Sequence, residues 1–262
     1  MTLESQPHEA STPTVSDALL LRTWALYDTF NDEALVRPSI PIAYFGDAEA
    51  YSRSPIRIVT VGLNPSRLEF PVANPFRRFP EAEPSQGDES RRLVQNYRVA
   101  LDSYFRSEPY MAWFGSYEAI LNGAGASYLE GGRSIAIHTD ICSPLATDPT
   151  WNRLSQAQQN QLEPGGAAVW HQLIAELQPN LIVASIAARH LAKIRFDRLS
   201  APSLLWTVDR DRPFQVHQQW LDIRPNRALL ILGRAVNLPF GSVSRADRMR
   251  IGAAAAEALA RG

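Results

Sequence analysis

Short runs rich in Val, Ile and Leu recur along the chain, at Arg57 to Leu63, Ser134 to His138, Leu181 to Ser185, Leu204 to Val208 and Ala228 to Leu232. Each has strand length and is bounded by turn residues or by helical periodicity, which predicts buried strands. Helical spacing fills the intervals. Ser16 caps a predicted helix with Leu19, Leu20, Trp24 and Tyr27 on one side, and Gly165 to Leu177 and Ala187 to Ile194 read as crossover helices. A last helix begins at the capping pattern Ser244-Arg245-Ala246-Asp247 and runs through an alanine-rich segment. Strands separated by helices predict an α/β fold, with a central, mainly parallel sheet of four to five strands covered on both faces as an α/β/α sandwich.

Pro71 to Gly87 is rich in proline and polar residues and reads as a loop. Glu89 to Leu121 is helical and aromatic, with Tyr97, Tyr104, Phe105, Trp113, Phe114 and Tyr117. This segment, about residues 80–128, is either an insertion over one end of the sheet or an ordinary pair of core helices. Residues 1–13 are polar and predicted to be disordered, which leaves 14–262 as a single domain.

Within the pattern, one strand end stands out. Arg57-Ile58-Val59-Thr60-Val61 opens directly into Gly62-Leu63-Asn64-Pro65-Ser66, where Gly62 permits a tight turn and Pro65 stops the strand. Asn64 is thereby delivered to the rim of a sheet with both a donor and an acceptor to offer. That rim is where α/β proteins bind their ligands.

Composition narrows the classes. The chain has 262 residues, 45% of them hydrophobic, enough for one large core. A single cysteine, Cys142, excludes a disulfide framework, a four-cysteine zinc site and an iron–sulfur cluster built by this chain alone. No cofactor or metal is expected, and the scattered histidines have no metal-ligand spacing. The start of the chain lacks a basic region followed by an apolar core, and no later run approaches spanning length, so a cytoplasmic protein without a membrane partner is expected. A monomer is expected too.

The net charge of −1 carries no overall attraction to nucleic acid. The arginines are less evenly placed: Arg67, Arg77, Arg78, Arg91 and Arg92 form one group, and Arg245, Arg248 and Arg250 another, while lysine is rare. A guanidinium grips phosphate with a fork where an ammonium offers a point charge. A GC-rich genome would also replace lysine with arginine and is the better explanation of the excess, so only the position of these arginines near the loops below points to a nucleic-acid face.

Three loops should meet at one edge of the sheet. They read Gly62-Leu63-Asn64-Pro65-Ser66 with Phe70-Pro71-Val72-Ala73-Asn74-Pro75-Phe76-Arg77-Arg78-Phe79, then His138-Thr139-Asp140-Ile141, then Leu238-Pro239-Phe240-Gly241-Ser242-Val243-Ser244-Arg245. Together with Leu162-Glu163-Pro164-Gly165-Gly166 and Leu177-Gln178-Pro179-Asn180-Leu181-Ile182-Val183, and in this order, they resemble the motifs of the uracil-DNA glycosylase superfamily, most closely its mismatch-specific uracil/thymine branch. The likeness runs from about Arg57 to the C-terminus, apart from Pro80 to Tyr128.

The resemblance implies a uracil-DNA glycosylase-like sandwich acting on duplex DNA, flipping a nucleotide out of the stack and cleaving its bond to the sugar. It implies that Asn64 orients the attacking water, and that Val243 and Arg245, with Ser242 and Ser244, form the wedge and clamp on the opened duplex. Arg67, Arg77 and Arg78 would contact phosphate, as would the N-terminus of the last helix. Gly62, Leu63, Pro65, Ser66, Phe70, Val72, Phe76, Phe79, His138 and Asn237 would line the base pocket. No lysine lies in these motifs to form a Schiff base, so a monofunctional enzyme that leaves an abasic site is expected.

Asp140 falls where several members of that superfamily carry an asparagine that reads the edge of uracil. An ionised carboxylate only accepts hydrogen bonds, and it repels a carbonyl but suits the amino group of cytosine. The expected substrate is therefore a cytosine derivative, such as glucosylated hydroxymethylcytosine in phage DNA. Two departures accompany it. Pro239-Phe240-Gly241 replaces the Asn-Pro-Ser or His-Pro-Ser pattern that would stabilise the leaving base, with Asn237 nearby, and Val72 stands where an aromatic residue would stack. A uracil or thymine mismatch glycosylase, and a noncatalytic DNA-binding module on the same fold, stay open as alternatives. Asp140 itself can instead be a carboxylate satisfied by loop amides, and His138 either a proton donor to the base or a structural histidine.

Overall fold

The computed structural model describes residues 13–83, 93–234 and 238–262. Asn237, Arg91, Arg92 and the N-terminal residues expected to be disordered, up to residue 12, lie outside these ranges. In chain order the regular elements are α1 (Asp17–Thr29), α2 (Ala48–Ser52), β1 (Ile58–Gly62), α3 (Val94–Asp102), α4 (Met111–Gly123), β2 (Ala126–Ser127), β3 (Ser134–Ile135), β4 (Ile137–Asp140), α5 (Gln156–Leu177), β5 (Leu181–Ser185), β6 (Ser203–Val208), β7 (Phe214–Ile223), β8 (Asn226–Gly233) and α6 (Arg245–Arg261). Short 3-10 turns link several of them.

The central sheet has six strands in the order β4-β1-β5-β8-β7-β6. The first four are parallel and β7 and β6 are antiparallel. The α/β class and the mainly parallel sheet follow the sequence pattern. Three details differ. The apolar run at Ser134 divides at Ala136 into β3, which pairs with β2, and β4, which enters the main sheet. β7, the longest strand, has no counterpart among the predicted runs because Gln215, His217, Gln218 and Gln219 interrupt its apolar residues. Ala187 to Ile194 forms a 3-10 turn at Ala188–Lys193 rather than a crossover α-helix.

Helix boundaries follow capping chemistry. The Ser16 hydroxyl accepts from Leu19 N–H and starts α1, and Ser244 accepts from Asp247 N–H and starts α6. α5 begins earlier than its apolar part suggests, because Ser155 and Gln158 close a capping box, and the helix carries Pro164 within it.

The aromatic segment after β1 packs into the core. Tyr97, Tyr104, Phe114 and Tyr117 are all essentially inaccessible. α4 lies against α6 with backbones touching: a Cβ on Gly123 would sit 1.9 Å from the Met249 carbonyl oxygen, and one on Gly252 1.9 Å from that of Ile120. Only glycine allows that approach.

This topology prepares one edge. From β1 the chain crosses to β4 on one side of it and then to β5 on the other, so the strand order reverses around β1. The carboxyl ends of β1, β4, β5 and β8 therefore gather at a switch point, the position at which open α/β sheets leave a crevice. Gly62, Asp140, Ser185 and Gly233 are the strand-end residues there.

Candidate functional site

The loops after β1 and β4 are tied together by the backbone. Gly62 O accepts from Ile141 N–H at 3.1 Å and Leu63 O from Cys142 N–H at 2.9 Å, while Thr147 N–H donates to Pro65 O at 3.2 Å. Asn64 sits inside this clasp. Its Nδ2 donates to Pro65 O at 2.8 Å and Thr147 Oγ1 at 2.8 Å, with Leu145 O at 3.3 Å, and its Oδ1 accepts from Trp151 N–H at 3.1 Å. Acceptors on one side and a donor on the other fix which way the amide faces. A carbonyl oxygen has two lone pairs, and Trp151 uses one.

Asp140 is the opposite case. Its residue is only 8% exposed, yet among the described residues its carboxylate makes no hydrogen bond. The nearest partner is His138 Nε2, 3.7 Å from Oδ1, beyond hydrogen-bond length. Alternation along the parallel pair places Thr60, Gly62, His138 and Asp140 on one face of the sheet. A Cβ on Gly62 would lie 2.3 Å from Asp140 Oδ1 and 3.0 Å from His138 Nε2, so the missing side chain makes the room for both.

Behind Asp140 runs a buried polar chain. His138 Nδ1 is 2.7 Å from Thr60 Oγ1, which in turn is hydrogen-bonded to Tyr128 OH. When Tyr128 donates to Thr60 and Thr60 to Nδ1, the proton of neutral His138 resides on Nε2, facing Asp140. Tyr128 also walls a cavity of about 370 Å³ lined by Asp47, Asp102, Phe105, Arg106 and Glu130, none of which belongs to the predicted site.

A further carboxyl group enters from the β1 loop. Glu69 ends a 3-10 turn capped by Ser66, is 4% exposed and accepts from Tyr104 OH at 2.6 Å, with Arg78 Nε 3.9 Å away. Burial pushes its pKa up to about 7, against the Tyr104 hydrogen bond and the Arg78 charge, and the negative charge of Asp140 adds to the rise. Tyr104 and His138 contact the same two rings, Phe45 and Phe114. Glu69 was not legible as a site residue, because its burial and its nearness to Asp140 exist only in the folded chain. The same is true of Thr60 and Tyr128.

The remaining predicted residues divide. Leu63 and Ser66 are half-buried and Pro65 is buried in the clasp around Asn64. Phe70, Phe76 and Phe79 are all buried and pack on one another, Phe70 and Phe79 stacked at 5.3 Å, whereas Val72 is 79% exposed. Arg67 pairs with Asp148 and Arg77 with Glu108. Arg78 is mostly buried, donating to Leu68 O and Glu108 O beside Glu69.

In the last loop Val243 is buried, so the outward positions are Ser242, Ser244 and Arg245. Arg210, from the turn between β6 and β7, holds Ser242 from outside through its carbonyl and hydroxyl oxygens. Phe240 points inward at φ 50°, a strained conformation for a bulky residue. It is held there by its N–H to Ser185 Oγ at 2.9 Å and by the Arg248 guanidinium on its carbonyl.

Comparison of the sequence with protein-family models and with curated proteins gave no match. Among the described residues no helix is long and apolar enough to cross a membrane.

Proposed function

We propose that the protein is a monofunctional DNA glycosylase that flips a cytosine derivative from duplex DNA and hydrolyses its N-glycosidic bond, on a uracil-DNA glycosylase-like α/β/α sandwich. The observation that carries this reading is Asp140, a nearly buried carboxylate at the switch point of the sheet that makes no hydrogen bond among the described residues. Burying such a group costs several kcal/mol unless something supplies hydrogen bonds, and unmet groups of this kind concentrate at functional sites. An amino group on the edge of a base is a donor that would satisfy it.

Asn64 supports the same reading from the neighbouring loop. The free lone pair of a rigidly held amide oxygen can orient water toward an anomeric carbon that becomes cationic as the base departs. Ser244 and Arg245 lie at the N-terminus of α6, suited to a phosphate beside the opened base pair. Glucosylated hydroxymethylcytosine in phage DNA is the cytosine derivative we favour. The tethering of both ends of the Asn64 amide within the loop clasp and the buried position of Val243 favour one alternative, a noncatalytic DNA-binding module.

The test is incubation of the purified chain with duplexes containing uracil, thymine mismatches, cytosine, hydroxymethylcytosine or glucosylated hydroxymethylcytosine, followed by alkali and mass analysis of the released base. Release of a cytosine derivative with alkali-labile strands supports the glycosylase. Tight binding with no release from any duplex supports the binding module.

A further inference from the structure

Cytosine is a harder base to expel than uracil, because uracil departs as an anion stabilised by its two carbonyls whereas cytosine needs a proton. An acceptor at Asp140 reads the base but cannot supply that proton. We propose that Glu69 is the general acid of the site, donating its proton to ring N3 of the departing cytosine while Asp140 accepts from the adjacent amino group. This rests on the glycosylase reading above.

The packing ties Glu69 to the neighbourhood of Asp140 and Asn64. It belongs to the same loop as Asn64, and its Tyr104 partner shares the Phe45 and Phe114 wall with His138, the neighbour of Asp140. One carboxyl oxygen, Oε2, is occupied by Tyr104 OH; among the described residues no hydrogen bond is made to Oε1. The charged and titratable groups around it are Tyr104, Arg78 with Glu108 behind it, and Asp140. Burial and the Asp140 charge keep the group about half protonated near pH 7, the condition under which a carboxyl serves as an acid at neutral pH.

The step balances. The C1′–N1 bond breaks with its electron pair on the base, and the Glu69 proton moves to N3, so cytosine leaves neutral. The oxygen of the Asn64-held water bonds to C1′ and its proton passes to solvent, and Glu69 is reprotonated from solvent. Uracil carries its own hydrogen on N3 and cannot take the proton there. Two carboxyl groups, one donating and one accepting, thus read adjacent positions of one edge.

The experiment is single-turnover base release, from about pH 5 to about pH 9, on duplexes with the released cytosine derivative and with uracil. It compares wild type, Glu69→Gln, Glu69→Asp and Tyr104→Phe, with thermal melts to verify folding. Wild type should lose cytosine release above about pH 7. Glu69→Gln should slow that release by about 100-fold, abolish the alkaline fall and affect uracil far less, while Glu69→Asp retains the fall at a reduced rate. Equal slowing of both bases with an unchanged pH profile would overturn the role of Glu69 and leave the glycosylase standing. A wild type that releases no base from any duplex would overturn both.

Discussion

Asn64 and Asp140 end neighbouring strands of one sheet, yet the fold treats them oppositely. Asn64 is held on every side, by two loop carbonyls, a threonine hydroxyl and a backbone N–H. Asp140 is more deeply enclosed, yet among the described residues its nearest polar partner is a histidine ring 3.7 Å away. An amide with its partners in place cannot reorient, so it can position something else. A carboxylate without partners costs stability, and natural proteins keep such groups where a ligand completes them. On the proposed function the site pairs a fixed positioner with an open acceptor, and Gly62 leaves the room that the Asp140 and His138 side chains occupy.

The sharpest way to break this contrast is Asn64→Ala. Removing the amide leaves Trp151 N–H without its acceptor and takes one donor from Thr147 Oγ1, which keeps its bond to Pro149 O, and a denaturant titration should show a loss of about 2–3 kcal/mol. Base release should fall at least about 100-fold. Gly62→Ala comes next. Its Cβ would occupy the position of Asp140 Oδ1, so activity should collapse while the melting temperature falls only as far as the Asp140 and His138 side chains fail to shift aside.

Glu69 links the two regions to pH. The folded protein holds the Glu69 proton up to about pH 7, against an ordinary value of 4.5. Stability associated with the neutral carboxyl is fully present below about pH 4.5 and is lost as pH rises through about 7. Glu69→Gln should therefore flatten the decline of stability across that window, read by thermal melts at successive pH values. The smallest effect belongs to Tyr128→Phe, which removes one hydroxyl from the chain behind His138. It should cost about 1 kcal/mol in a denaturant titration and shift base release only modestly.

Much of the fold was legible because the strands at the centre of its parallel half are buried on both faces. β1 and β5 read as continuous apolar runs, and the caps of α1 and α6 are local serine chemistry. β7 was hidden because it lies in the antiparallel half of the sheet, where glutamines and a histidine are half-buried. At the candidate site, Asn64 could be read from its strand end and Asp140 from the resemblance carried by its loop, and topology brings both to a common edge. Their contrast could not. It depends on Thr147 and Trp151 reaching Asn64 across more than eighty residues, and on no comparable group among the described residues reaching Asp140. The inward Phe240 and buried Val243 were equally hidden, because they depend on Ser185, Arg248 and the core beneath the last loop.

The most direct test compares wild type, Asn64→Ala and Asp140→Asn for release of base from paired duplexes carrying the cytosine derivative or uracil. A fixed positioner and an open acceptor predict that Asn64→Ala loses release of both bases. They predict that Asp140→Asn, folded and at least as stable as wild type, loses the cytosine derivative and keeps or gains uracil. Unchanged base preference in Asp140→Asn, or full activity in Asn64→Ala, would contradict the account.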